Sequence, residues 1–205
     1  MQLSVNVFQF DELSKAAQKV VVEKYIDNGW YDYSDHERSE YNKSLEIFNS
    51  AFASLAGLGG LKCQQAKEAI VMAMDKAARI MAAANRFYAE TFNEKFNGKI
   101  STIEQAMQLT SDCSLTGVCT DYYLLDTIHF FLNGEKHQDL DLSTLIDTAK
   151  KDGRNCLQKQ CRFYRTKGHV QECLAQQCED WFYEDGSDVP PSLVKIIEAQ
   201  KQAAA

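Results

Sequence analysis

Apolar residues along this chain recur mostly three and four positions apart, the spacing of one face of an α-helix. The exception comes first: Leu3, Val5 and Val7 alternate with Gln2, Ser4 and Asn6, which predicts a short half-buried strand over 3–8. A helix follows, opened by Asp11 or Ser14 as a cap and closed by Asn28-Gly29, with Leu13, Ala17, Val20, Val21 and Tyr25 on its apolar face. Tyr41, Leu45, Phe48, Phe52 and Leu55 draw the stripe of a second helix, which Gly57, Gly59 and Gly60 end.

From Leu61 to Asn97 there is neither glycine nor proline, and Ala66, Ile70, Ala73, Ala77, Ile80, Ala84, Phe87 and Phe92 keep helical spacing. Unbroken, such a helix would be about 55 Å long, so a kink is expected at Asn85 or Asn93. Ser101 or Thr102 caps a shorter helix through Leu109. A turn-like stretch over 110–120 leads into an apolar helix from Asp121 to Leu132, ended by Asn133-Gly134. The last long helical region starts near Asp141 with Leu142, Leu145, Ile146, Ala149, Leu157 and Tyr164 on one side. Gly153 is expected to bend it, and Gly168 to break it before Val170, Leu174 and Trp181. Pro190-Pro191 resets the chain for a short final helix.

The fold class read from this pattern is mainly α: a single α-rich domain over 1–189, then a short C-terminal helix and frayed tail over 190–205. A small antiparallel pairing of the N-terminal strand with the 181–189 region is the one β addition. At 205 residues the chain is long enough to bury a core without disulfide staples, and 45% hydrophobic with 25% charged residues is an ordinary globular composition. No window approaches the apolar run a membrane span needs, and the amino terminus carries no basic region followed by an apolar run. The expected location is therefore the cytoplasm, with no membrane partner.

The formal charge of −7 opposes direct contact with nucleic-acid backbone and favours a partner with a basic surface. Acidic residues gather from Asp27 to Glu46, among them Asp32, Asp35, Glu37 and Glu40, diluted by Arg38 and Lys43. They form either a solvated face or a surface that meets a positively charged protein. The aromatic run Trp30-Tyr31-Asp32-Tyr33 lies in a loop, as an anchor for such a partner or folded back on the core. The candidate contact residues are Trp30, Tyr31, Asp32, Tyr33, Asp35, Glu37 and Glu40.

Catalytic and metal chemistry finds less footing. Cys156 and Cys161, like Cys173 and Cys178, are five apart, which turns their sulfurs about 140° from one another on a helix. His169 and Cys173, four apart, share a face, and Cys113 and Cys119 would have to complete a zinc site across space. Cys119 follows a glycine-containing turn with His129 ten residues on, but a thiol nucleophile needs a base at hydrogen-bonding distance and an oxyanion donor, and no local signature supplies either. Gly57-Leu58-Gly59-Gly60 lacks the Gly-Lys-Ser/Thr of a phosphate loop and reads as a helix terminator. Seven cysteines cannot all pair within one chain and read as buried thiols. The reading is thus a non-enzyme without cofactor or metal, the alternatives being a self-assembling structural protein and a cysteine- or zinc-dependent enzyme.

Three blocks carry a resemblance: Phe10-Asp11-Glu12-Leu13-Ser14 with the helix after it; Leu115-Thr116-Gly117-Val118-Cys119-Thr120-Asp121 with Leu124-Leu125; and Trp181-Phe182-Tyr183-Glu184-Asp185-Gly186. Together they resemble a family of bacteriophage and prophage proteins often labelled antitoxins of toxin–antitoxin stability systems. The segment Leu61 to Asn97 departs from that pattern. The resemblance implies a phage-encoded accessory protein that binds and inhibits or neutralises a bacterial host protein. The target class it implies is a toxin or a defence component, the latter making the chain an antagonist of anti-CRISPR or anti-restriction type. It implies no catalytic residues.

Overall fold

The structure, a computed structural model, describes residues 6–55, 58, 60–61, 63–111, 115–116 and 120–204, without the side chains of 63, 111 and 200–204. It is mainly α, with helix taking up 73% of it. In chain order the helices are α1 (Lys15–Asn28), α2 (Ser34–Phe52), α3 (Cys63–Ala84), α4 (Arg86–Phe96) and α5 (Ile103–Ser111). After these come α6 (Asp121–Leu132), α7 (Leu142–Phe163), α8 (Lys167–Gln177) and α9 (Pro191–Ala204). Two 3₁₀ turns, Phe10–Glu12 and Ala53–Leu55, flank α1 and α2. Among the described residues no helix is long and apolar enough to cross a membrane.

Where the sequence suggests one domain over 1–189, the packing distinguishes two compact units, Met1–Tyr33 with Cys161–Ala205, and Ser34–Gln160. The composition hides this division. The chain leaves the first unit at the turn before α2 and re-enters it inside α7, so no Gly- or Pro-rich linker marks either passage.

In the first unit α1 packs on α8. Ser14 Oγ caps α1 by accepting from Ala17 N at 3.2 Å, and Gly29, at φ +66°, ends it in the left-handed region. The core holds Phe10, Leu13, Ala17, Val21, Val22 and Tyr25 from the amino-terminal side and Val170, Leu174 and Phe182 from the other. Val20, expected on that face, is 53% exposed, and Val22 is buried in its place. The two lie about 100° to either side of Val21, and only the position of α8 and Phe182 decides between them.

Leu3, Ser4 and Val5 lie outside the described residues. At the end of the expected strand, Phe8 and Phe182 exchange backbone hydrogen bonds of 2.9 Å each way, and Phe182 bridges onward to Asp188. These are isolated antiparallel bridges, and no sheet forms among the described residues. Thr166 opens α8, its Oγ1 accepting from His169 N at 3.2 Å, so the helical run breaks before Lys167 and Gly168 sits inside α8. That corrects the expected break at Gly168.

In the second unit α3 lies against α2, α4 and α5, and α6 against α2 and α5. Its small side chains Ala66, Ala69, Ala73, Ala77 and Ala78 are buried, which lets neighbouring helices come close. The long segment breaks at Asn85, whose φ of −137° leaves the helix and whose Oδ1 accepts from Tyr88 N at 3.2 Å. Phe48 and Phe52 stack at 4.3 Å in a core shared with Ile70, Met74, Leu124, Leu125 and Ile128. α7 runs unbroken through Gly153. A Cβ there would stand 2.8 Å from the Tyr123 carbonyl oxygen and 2.9 Å from the Tyr41 hydroxyl, so the glycine provides close approach.

Candidate functional site

The aromatic run begins where α1 stops. Gly29 turns the chain back, with its N–H on Ile26 O at 3.1 Å and Trp30 N on Tyr25 O at 3.3 Å, so the following rings fold along the last turn of α1. Trp30 meets the Tyr25 ring edge-on at 4.9 Å, Tyr31 stacks on Tyr25 at 5.8 Å, and Tyr33 meets Tyr164 edge-on at 5.5 Å. The run therefore divides between its two readings. Tyr31 and Asp32 are half-buried, whereas Trp30 is 64% and Tyr33 42% exposed. Asp32 accepts from Arg165 Nε at 2.6 Å, beside a pocket of about 330 Å³ bordered by Ile26, Asn28, Tyr31, Tyr164 and Val170.

Asp35, Glu37 and Glu40 belong to the second unit, on the first turns of α2, and each has a partner. Asp35 pairs with Arg38 at 2.9 Å, Glu40 with Lys43 at 2.7 Å, and Glu37 accepts from the Tyr123 hydroxyl at 3.2 Å. The Lys43 hydrogen bond holds the Glu40 carboxyl below the ordinary glutamate range. Arg38 and Lys43 thus offset the charges of Asp35 and Glu40, while Glu37 accepts from a neutral hydroxyl that offsets none of its charge.

Beneath the rings of the first unit lies a group of titratable side chains. The Tyr25 hydroxyl donates to Asp180, and Cys178 Sγ donates to the same carboxylate at 3.8 Å. Burial first, then the bond to Asp180, pushes the Tyr25 phenol far above its ordinary value. Burial, with Cys178 next, pushes Tyr31 up to about 12. Cys173 Sγ is 3.5 Å from His169 Nε2, the shared face their spacing predicts, and the imidazole lies 4.8 Å from the Phe163 ring and 5.2 Å from that of Tyr164. Burial and then Glu172 push the Cys173 thiol up, which favours the protonated sulfur. Cys113 and Cys119 lie outside the described residues, and among the described residues no three His, Cys, Asp or Glu side chains converge as a metal set. His129 Nδ1 is bonded to Thr110 Oγ1 at 2.8 Å.

Two features escaped the sequence. Asp121, fully buried, accepts from Leu115 N at 2.8 Å and Thr116 N at 2.6 Å through one oxygen. Through the other it accepts from Ser44 Oγ at 2.6 Å and Thr116 Oγ1 at 2.8 Å. The second feature is a groove of about 460 Å³ along α4, lined by Phe87, Tyr88, Phe92, Phe96 and Leu109, with Phe87 82% exposed. The helical spacing sets Phe87 in one row with Ile80 and Ala84, and that row faces outward: Ala84 is exposed and Ile80 only half-buried. The signal that could have shown this is Phe87-Thr91-Lys95, an i, i+4, i+8 row distinct from the buried Phe92-Phe96 row.

The chain is therefore a mainly α protein that presents large aromatic side chains at its surface. No family model, curated protein or solved structure matches it.

Proposed function

We propose that this is a phage-encoded accessory protein that works by binding a bacterial host protein and inhibiting or neutralising it. The host target is a toxin or a defence component of the kind that anti-CRISPR and anti-restriction proteins act on. The phage setting and the target class come from the family resemblance. The observation that carries binding is Trp30, a large ring left 64% exposed yet held edge-on against the buried Tyr25 ring. Tryptophan in a fixed setting offers contact area at little conformational cost, the property that enriches it among residues dominating protein interfaces.

The test is affinity capture of the tagged full chain from host lysate in moderate salt. One stoichiometric host protein, held at least about tenfold more weakly by Trp30→Ala, is the expected result. A chain that retains no host protein overturns the reading. Self-association is the second reading, favoured by the outward Phe87 on the α4 groove, and light scattering of the purified protein separates the two.

A further inference from the structure

Both tryptophans of the chain, Trp30 and Trp181, line one pocket of about 410 Å³ in the first unit. Trp181 is held there by a local reversal. Val189 N bonds to Trp181 O at 2.9 Å and Tyr183 N to Ser187 O at 2.8 Å around Gly186, whose φ of +85° suits the turn. The reversal sets Val189 beside Trp181, and the chain then enters α9, which contributes Val194 to the apolar lining. Trp30 closes the pocket from the end of α1.

The polar lining is dominated by one sign. Glu179, Asp180, Asp188 and Glu198 border the pocket against Lys195 alone, and Lys24, paired with Asp188, supplies one further cation. Asp180 also accepts the Tyr25 hydroxyl, which fixes that carboxylate on the pocket side of α1. The amino end of α9 brings a partial positive charge to the rim through Pro191, and the four carboxylates outweigh it.

The exposed indole of Trp30 beside carboxylates favours a cation with an extended planar charge. An anion meets like charge, and an uncharged apolar group removes water from the carboxylates without replacing its hydrogen bonds. A guanidinium satisfies both halves of the lining, stacking on indole while its N–H groups fork onto a carboxylate. The volume falls in the range of roughly 300–1,000 Å³ in which side chains and small ligands are held. We infer that this pocket receives an arginine side chain from a basic segment of a partner protein. The inference rests on the reading of the chain as an interaction protein and names the chemistry that its partner must present.

Because the two tryptophans are the only ones in the chain, their fluorescence reports on this pocket directly. The full chain is titrated with a capped Gly-Arg-Gly-Arg-Gly peptide and with matched peptides carrying lysine or citrulline in place of arginine. A saturable fluorescence change is expected with arginine. It weakens as salt rises, is at least about tenfold weaker with citrulline, and is intermediate with lysine. The double variant Glu179→Gln with Asp180→Asn, checked for unchanged circular dichroism, binds arginine at least about tenfold more weakly. Citrulline binding as tightly as arginine, or no saturable change, overturns the inference. The two proposals fail separately. A host protein captured equally by the wild type and the double variant sinks the pocket while sparing the interaction reading; arginine binding without any retained host protein does the reverse.

Discussion

Gly153 occupies the middle of α7, where alanine would be the better helix former by about 1 kcal/mol. Its missing side chain matters more than its flexibility, because the Tyr123 carbonyl and the Tyr41 hydroxyl fill the space a Cβ would take. Gly153→Ala is therefore expected to lower stability: overpacking costs about 1–3 kcal/mol and outweighs the propensity gain. Urea unfolding measures this, and a stabilised variant would show that α6 and α7 can separate at no cost. Single residues were the least legible scale. Nothing local distinguishes Val20 from Val22 as the buried neighbour of Val21, nor a glycine that bends a helix from one that lets two helices touch.

Element boundaries were far more legible, because caps are local chemistry. Ser14 and Gly29 bracket α1 as expected, and Asn85 interrupts the long segment at one of the two positions foreseen. Gln105 Oε1 accepts from Ser101 N and Thr102 N at the start of α5, while Thr102 Oγ1 accepts from Gln105 N. The limits of α6, Asp121 and Leu132, also agree with the pattern. What the pattern lacked was the reason Asp121 sits at the start of α6. Its carboxylate ties the turn before α6 to Ser44 of α2, a residue 77 positions away in sequence. Asp121→Asn replaces one accepting oxygen with an amide that confronts donors. The expected loss is about 3 kcal/mol, read as a lower urea midpoint at unchanged slope. A loss below about 1 kcal/mol would remove Asp121 as the anchor of α6 on α2.

At the scale of the whole molecule, both units keep tyrosines protonated beyond their ordinary range: Tyr25 and Tyr31 in the first, and Tyr41, shifted mainly by burial, in the second. The unfolded chain ionises these phenols near the ordinary value of 10.0, while the folded chain still holds their protons. Above that pH the unfolded state binds fewer protons than the native one, so the stabilisation present at lower pH is lost as pH rises. Unfolding free energy should fall steadily above pH 10, and Tyr25→Phe should flatten that fall. A fall of the same steepness in Tyr25→Phe would locate the alkaline sensitivity elsewhere. By itself the sequence determined that the protein is mainly α and where most helices start and stop, because apolar spacing and caps act within a few residues. It also singled out Trp30 to Tyr33 as an aromatic run. Only the tertiary structure decided that residues 1–33 share a unit with 161–205, that Asp32, Asp35, Glu37 and Glu40 have partners of their own, and that Trp30 and Trp181 line one acidic pocket. Those outcomes depend on contacts between segments far apart in the chain, which no local pattern encodes.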